Sequence, residues 1–487
     1  MAKRRQHPRC ACARRSLDRR SLLFVTTIFV TAVMLVPAAH AQASGDAVSA
    51  TCNGYTKPLT ASPGCTPVYF FQGGADGGDP IGGVALASNG SLYGTTNGAG
   101  VNEGTVYEMT PPVAAGGAWT YALLYSFGTI GANDGIQPQG SLVVDAKGVV
   151  YGMTPNGGSA GCGVVYDLTP PSSPGGSWTY GVLHSFLGGA DGCHPWWAGV
   201  ILDKNGALYG TTAYGGGAGN GGAGWGTVFE LAPPAAAGGT WTETVLYSFT
   251  GGADGGYPQA SLLRSSGTLY GTTQTGGITA CGSLLTEGCG VVFELKPQAG
   301  GKWKHSVLYS FAGGNDGGLS SAPLISNAGV LYGTTSQENS FYQNGGDCTW
   351  GCGTVFSLAP PVAPSTTWTE TVLYHFVAPY APPYTTCPMT QCDASAPASG
   401  VVFGPHGSLY GTTVWGGPFS TGTIFELAPP VAPSTTWTES VLYDIHYVGP
   451  AYTSFPTSPY SGLTVGKQGK LYGTGSGNTG MVFQLKP

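Results

Sequence analysis

A sevenfold repeat constrains this chain more than any other feature. The stretch ASLLRSSGTLYGTTQTGG (260–277), then GVVFELKP (290–297), then WKHSVLYSFAGGNDGG (303–318) has close copies along most of the sequence. The tyrosine of its L-Y-G or V-Y-G core falls at Tyr93, Tyr151, Tyr209, Tyr270, Tyr332, Tyr410 and Tyr472. Seven copies at a period of about sixty residues define a repeat architecture, and that limits the fold before any single residue is considered.

Each copy breaks into four runs of strand length. In the third they are Gly199 to Asp203, Leu208 to Thr212, Gly226 to Leu231 and Trp241 to Phe249. All are rich in Val, Thr, Tyr, Phe and Leu, and turn residues separate them. Gly 83 and Pro 36 make up close to a quarter of the chain, yet they sit at fixed places between the apolar runs. They punctuate a fold rather than replace one. A lone four-stranded sheet cannot bury both faces, whereas sheets stacked around an axis bury each other. The expectation is all-β, a seven-bladed β-propeller with four antiparallel strands per blade.

The two ends predict how the ring closes. Val68 to Phe71 matches a fourth run without a blade, and Met481 to Leu485 is a third run without a fourth. Joined, they complete the seventh blade, so the N-terminal strand closes the ring. An open solenoid would instead need polar caps at both ends. The connections then sort onto two faces. Short turns (Lys147-Gly148, Asn205-Gly206, His406-Gly407) and Pro-Pro linkers (Pro111-Pro112, Pro170-Pro171, Pro233-Pro234) share one face. The loops after the second and fourth runs share the other, together with nearly all insertions, and that is where function is expected.

Outside the repeats, residues 1–41 read as an export signal. Eight basic residues (Lys3, Arg4, Arg5, Arg9, Arg14, Arg15, Arg19, Arg20) precede an apolar run at 22–36 and the Ala39-His40-Ala41 site. Asp18-Arg19-Arg20-Ser21-Leu22-Leu23 resembles a twin-arginine signal, and an ordinary secretory signal is the alternative. The apolar run is short for a membrane span. Residues 42–65 form an N-terminal extension and 66–487 the propeller. Cleavage would remove eight of 18 basic and one of 24 acidic residues, leaving 10 and 23 and a net charge of −13. That balance excludes nucleic acid and anionic membrane surfaces as partners. No C-terminal apolar tail is seen, so a soluble exported monomer is expected, periplasmic or extracellular.

Ten cysteines remain after the signal: Cys52, Cys65, Cys162, Cys193, Cys281, Cys289, Cys348, Cys352, Cys387 and Cys392. An even number in an oxidising compartment implies disulfides. Proximity favours 52–65, 281–289, 348–352 and 387–392, with 162–193 tying two loops of the same face.

The units G-x-L-Y-G-T-T, G-T-V-F-E-L and V-L-Y-S-F-x-G-G-x-D-G resemble the GloVer tandem repeat over about residues 66–487. That family comprises exported bacterial proteins, often attached to the surface through varied C-terminal anchors. The resemblance implies an extracellular setting and little chemistry. This chain departs from the anchored members in having no sorting tail. The G-G-x-D-G element is lost after Phe376 and after Ile445.

Several motifs invite a chemical reading. Asp76, Asp134, Asp191, Asp254 and Asp316 recur at equivalent places, either as a ring binding a cation or as Asp-Gly turns whose carboxylates accept backbone N–H groups. Repetition favours the turn. Calcium-binding nonapeptide repeats need copies every nine residues, which the spacing rejects. Gly157 to Gly161 matches G-x-S-x-G without the helix a nucleophile elbow requires. Gly215 to Gly224 contains G-x-G-x-x-G spacing without a βαβ unit. Cys348 and Cys352 lack the further partners of a zinc site. No cofactor or metal is expected.

Aromatic residues in the loops are the strongest functional lead. Trp119, Trp178, Trp241, Trp303, Trp368 and Trp437 repeat at one position and read as structural. Those outside the repeat pattern are His194-Pro195-Trp196-Trp197, Trp225, Trp350 and Trp415, with Tyr214, Phe341, Tyr342, Tyr380 and Tyr384 in similar loops. Flat aromatic faces suit sugar rings, and a nearby carboxylate can orient hydroxyls. Covering loop bases and disulfides is the competing role. The expected ligand residues are His194, Trp196, Trp197, Trp225, Trp350 and Trp415, for carbohydrate or another envelope ligand. The alternative is a glycoside hydrolase using two of Glu103, Glu287, Glu338, Asp347 and Asp393, with His194 and His446. A lyase on acidic polysaccharide fits less well, since Arg264 is the one arginine beyond the signal. A purely structural surface protein is the third reading.

Overall fold

The computed structural model describes residues 64–98, 103–114, 116–129, 131–173, 175–217, 219–236, 238–277, 287–336, 352–376, 394–417, 422–444, 458–477 and 479–487. The strands form seven four-stranded antiparallel sheets plus one two-stranded ladder. Blade 3 is representative: Ile201–Leu202, Leu208–Thr212, Thr227–Ala232 and Thr242–Ser248 lie side by side in chain order. Blade 7 is composite. Thr464–Val465, Leu471–Gly475 and Met481–Lys486 are followed, as fourth strand, by Gly64–Phe70. Cys65 pairs with Leu485 and Tyr69 with Val482, so the N-terminal strand closes the ring as its phase in the repeat predicts.

Each interface between consecutive blades holds its own apolar cluster, seven in all. The one between blades 7 and 1 joins Phe71, Tyr472 and Val482 to Leu92, Tyr107 and Met109. The third-strand aromatic (Phe229, Phe293, Phe356, Phe425 or Phe483) is fully buried in every such cluster, as is Tyr107 or Tyr166 where tyrosine replaces it. Burying one such ring stabilises by about 1.5–3 kcal/mol. It also explains the invariant glycine of L-Y-G within this chain. A Cβ on Gly271 would stand 2.5 Å from Cζ of Phe293, so the ring lies directly over a position without a side chain. The repeating tryptophans cement neighbours: Trp178 meets Tyr93, Trp241 meets Tyr151, and Trp303 meets Tyr209.

The five Asp-Gly elements are turns. Asp76 accepts the N–H of Gln72 at 2.8 Å, Asp254 that of Thr250 at 2.9 Å and Asp316 that of Ala312 at 2.6 Å. Each also accepts a hydrogen bond from the outer strand of its blade, from Tyr69 for Asp76 and Tyr247 for Asp254. The following glycine takes φ of 81° at Gly77 and 101° at Gly255, which L residues rarely adopt. Each of these carboxylates thus closes its own turn, and the recurrence of Asp reflects the turn.

Among the described residues no helix is long and apolar enough to cross a membrane. Cys162 and Cys193 form a disulfide. Cys289 and Cys352 are disulfide-bonded as well. Cys52, Cys281, Cys348, Cys387 and Cys392 lie outside the described residues, so the other expected pairings do too.

Candidate functional site on the loop-rich face

The chain enters blades 1 to 6 through a residue with left-handed backbone: Asp79, Gln137, His194, Tyr257, Leu319 and Ala396, with φ of 53–60°. Its N–H binds a carbonyl in the preceding blade's loop: His194 to Cys162, Tyr257 to Trp225, Ala396 to Cys352. Its own carbonyl accepts from the blade it enters: from Ala213 for His194, from Gln274 for Tyr257, from Val414 for Ala396. Two loops therefore clamp each of these three, and the side chain at this position sits at a fixed place on the face. In four of the six that side chain is a carboxylate, an amide or a small apolar group. At blades 3 and 4 it is an imidazole and a phenol.

Those two start a continuous run of rings. His194 stacks on Trp196, with centroids 5.5 Å apart. Trp196 meets Tyr214 edge-on at 5.2 Å, Tyr214 meets Tyr257 at 5.3 Å, and Tyr257 meets Trp225 at 5.1 Å. The disulfide 162–193 holds the residue next to His194. His194 Nδ1 lies 2.8 Å from the carbonyl oxygen of Pro155; a carbonyl only accepts, so Nδ1 carries the proton. In the neutral ring Nε2 is then the acceptor. Burial pushes the hydroxyls of Tyr214 and Tyr257 above the usual phenol range; nearby negative charge, including Glu287, adds to this at Tyr257. Glu287 is exposed, so an acid borders the aromatic run.

Trp197 extends the site to the axis. Blade 3 carries one residue more at this point than its neighbours, and Trp197 takes φ 60° there. It is 40% exposed and its ring lies 6.0 Å from that of Tyr460. Tyr460 enters blade 7, which is not a neighbour of blade 3 in a ring of seven. The pair therefore spans the axial opening.

The remaining sequence candidates divide. Trp225 is in the run, but Gly219 and Gly251 pack against its two sides: a Cβ on either would come within 2.6 Å of the indole. It also supports the core between blades 3 and 4. Trp415 belongs to blade 6, in a short ladder with Ser395. Trp350, Phe341, Tyr342, Tyr380, Tyr384, Glu338, Asp347, Asp393 and His446 lie outside the described residues. Ser159 of the G-x-S-x-G match bonds to Ser185 in a turn. Arg264 is engaged by Asp203 at 3.5 Å and by the ring of Tyr209. Tyr257 and Tyr460 were not singled out from sequence. Aligning the entry segments of the seven blades would have found them, since Tyr257 and Tyr460 are the tyrosines at the positions flanking the proline that leads into most blades.

Among the described residues two carboxyls are pushed up to about 7, Glu243 and Glu370, both by burial first and by a neighbouring Asp second. They belong to blades 3 and 5, on outer strands. They are not a facing pair on the loop-rich face.

A Gloeobacter/Verrucomicrobia repeat profile matches residues 48–285 and again 175–386. The chain belongs to that repeat family. No curated protein matches it. Among solved structures it is similar to an ancestral GH74 enzyme, at 11% identity and a TM-score of 0.43, over 81% of this chain and 54% of that one. It is similar also to the hydrazine synthase of Kuenenia stuttgartiensis, at 12% identity and a TM-score of 0.46, over 88% of this chain and 98% of that one. The chain thus spans about half the length of the GH74 enzyme.

Proposed function

We propose that this repeat-family propeller is exported and binds carbohydrate on its loop-rich face, through the aromatic run of blades 3 and 4. The observation that carries the reading is the exposed Trp197, which follows Trp196 of the run His194, Trp196, Tyr214 and Tyr257 in sequence and meets Tyr460 from blade 7. Blade packing is already satisfied by the repeating tryptophans, so it does not require these rings. A flat indole offers a sugar ring a stacking surface, and Glu287 together with Nε2 of His194 supplies acceptors for hydroxyls. The disulfide and the basic-apolar-small order of residues 1–41 support export.

A glycan array on the secreted protein, with hydrolysis products assayed alongside, tests the reading. Trp197→Ala is expected to weaken binding at least ~10-fold, about 1.4 kcal/mol, with the melting temperature unchanged. Binding that survives both Trp197→Ala and Trp196→Ala would remove the site from consideration. Release of shortened sugars would move the protein into the hydrolases.

A further inference from the structure

We propose a second site, unrelated to the aromatic run: a divalent transition-metal site of zinc type between the outer strands of blades 2 and 3, formed by His184, Asp191 and Glu243. The repeat itself supplies the comparison. The residue opposite Val106, Val228, Val292, Val355, Ile424 and Val482 on the outer strand is Tyr125, Tyr247, Tyr309, Tyr374, Tyr443 or Tyr69. Only opposite Val165 is it histidine, His184. The facing position on the next blade is Tyr121, Tyr180 or His305 where the two rings stack, at 4.7, 4.2 and 4.2 Å. Opposite His184 it is Glu243. A glutamate stands at this facing position in blades 5 and 6 too, as Glu370 and Glu439, so His184 is the exchange that sets this interface apart, bringing an imidazole to a glutamate and to an aspartate the repeat already provides.

The donor atoms converge. His184 Nε2 is 3.0 Å from Asp191 Oδ1, and one ligand atom from each of the three residues lies within 4.8 Å of the others. Asp191 uses Oδ2 for the N–H of Leu187, at 2.6 Å, which aims Oδ1 at the imidazole. Phe186 packs edge-on against the His184 ring at 4.9 Å and fixes its plane. Glu243 Oε1 is buried without a hydrogen-bond partner. Two carboxylates in a half-buried gap repel each other, and a divalent cation removes that cost. Zinc bonds of about 2.0–2.2 Å imply ligand atoms ~3.4 Å apart, so the His-Asp edge needs little change and Glu243 swings inward by ~1 Å. Imidazole with carboxylate is a ligand set zinc accepts, with water completing the shell. Glu370 provides the control: it too faces an aspartate, Asp316, but Tyr309 stands where His184 would be.

The test titrates the chelator-treated full chain, without an affinity tag, with Zn²⁺ by calorimetry and with Co²⁺ by visible absorption. One equivalent is expected to bind. His184→Tyr, which restores the residue of the other blades, is expected to weaken binding at least ~10-fold while the chain stays folded. Glu243→Gln is expected to weaken it as well, and serves if His184→Tyr does not fold. No binding by the unsubstituted chain, or equal binding by it and these variants, would overturn the site.

Discussion

Thr474 donates its hydroxyl to the carbonyl oxygen of Gly82 at 3.1 Å, across a separation of 392 residues. The same bond recurs between consecutive blades, from Thr211 to Ala260, Thr272 to Ala322, Thr334 to Ser399 and Thr412 to Ser461. The first threonine of T-T thus ties each blade to the innermost segment of the next, and Thr474 performs this at the closure. Blades 1 and 2 are the exceptions: the buried hydroxyl of Thr95 has no partner, and blade 2 carries Met153 at this position. Thr474→Val leaves a buried carbonyl unpaired and is expected to cost about 1–2 kcal/mol. Thr95→Val, at the same repeat position, is expected to be neutral or slightly stabilising. Chemical denaturation of the two variants checks the contrast; equal losses would show that the bond does not stabilise closure.

Gly271→Ala tests the close approach behind the L-Y-G signature. Its Cβ would meet Phe293 Cζ at 2.5 Å and Leu262 Cδ2 at 3.0 Å, both in a packed interface. Overpacking of this kind costs about 1–3 kcal/mol. Pairing it with Phe293→Leu makes room and is expected to recover part of the loss relative to the sum of the single changes. A melting series on the four proteins measures that coupling; additive losses would mean the ring is not what the methyl strikes.

The ring closure was legible because it depends on strand phase, and the runs around Tyr69 and Phe483 show their phase without reference to anything distant. The structural role of Trp241 was legible for the same reason: it repeats. The pairing of Trp197 with Tyr460 was not, since it arises only once seven blades are closed and one inserted residue points an indole at the axis. His184 and Glu243 were illegible on similar grounds. His184 is an ordinary substitution in its own strand, and Glu243 recurs as Glu370 and Glu439. Their meeting depends on how the outer strands of neighbouring blades align, which no pattern within one repeat encodes.

The disulfide between Cys162 and Cys193 closes a 31-residue separation and joins the loop of blade 2 to the segment that presents His194. In a chain-entropy account, opening such a loop costs about 2–4 kcal/mol. The double variant Cys162→Ser/Cys193→Ser is expected to lose that stability and to weaken binding at the aromatic run, because the carbonyl of Cys162 also holds the N–H of His194. Thermal melts and glycan binding of the double variant give both readouts. A full loss of binding with no change in melting would assign the bridge to the ligand rather than the fold.

Glu370 gives the stability of the molecule a pH dependence with a definite sign. Burial, and then the charge of Asp316, lifts its carboxyl from 4.5 to about 7 in the folded chain. Between those values the folded state holds a proton that the unfolded state has released. The group's contribution is therefore full below about pH 4.5 and declines as the pH rises through 7. The side chain is partly exposed, so solvent screening reduces the effect to about 1 kcal/mol. Glu370→Gln keeps a neutral donor in place and cannot ionise. Its melting temperature is expected to match that of the unsubstituted protein near pH 5 and to exceed it at pH 8. Parallel melting curves across that range would mean that Glu370 is ionised in the folded chain at little cost, with Asp316 too well screened to oppose it.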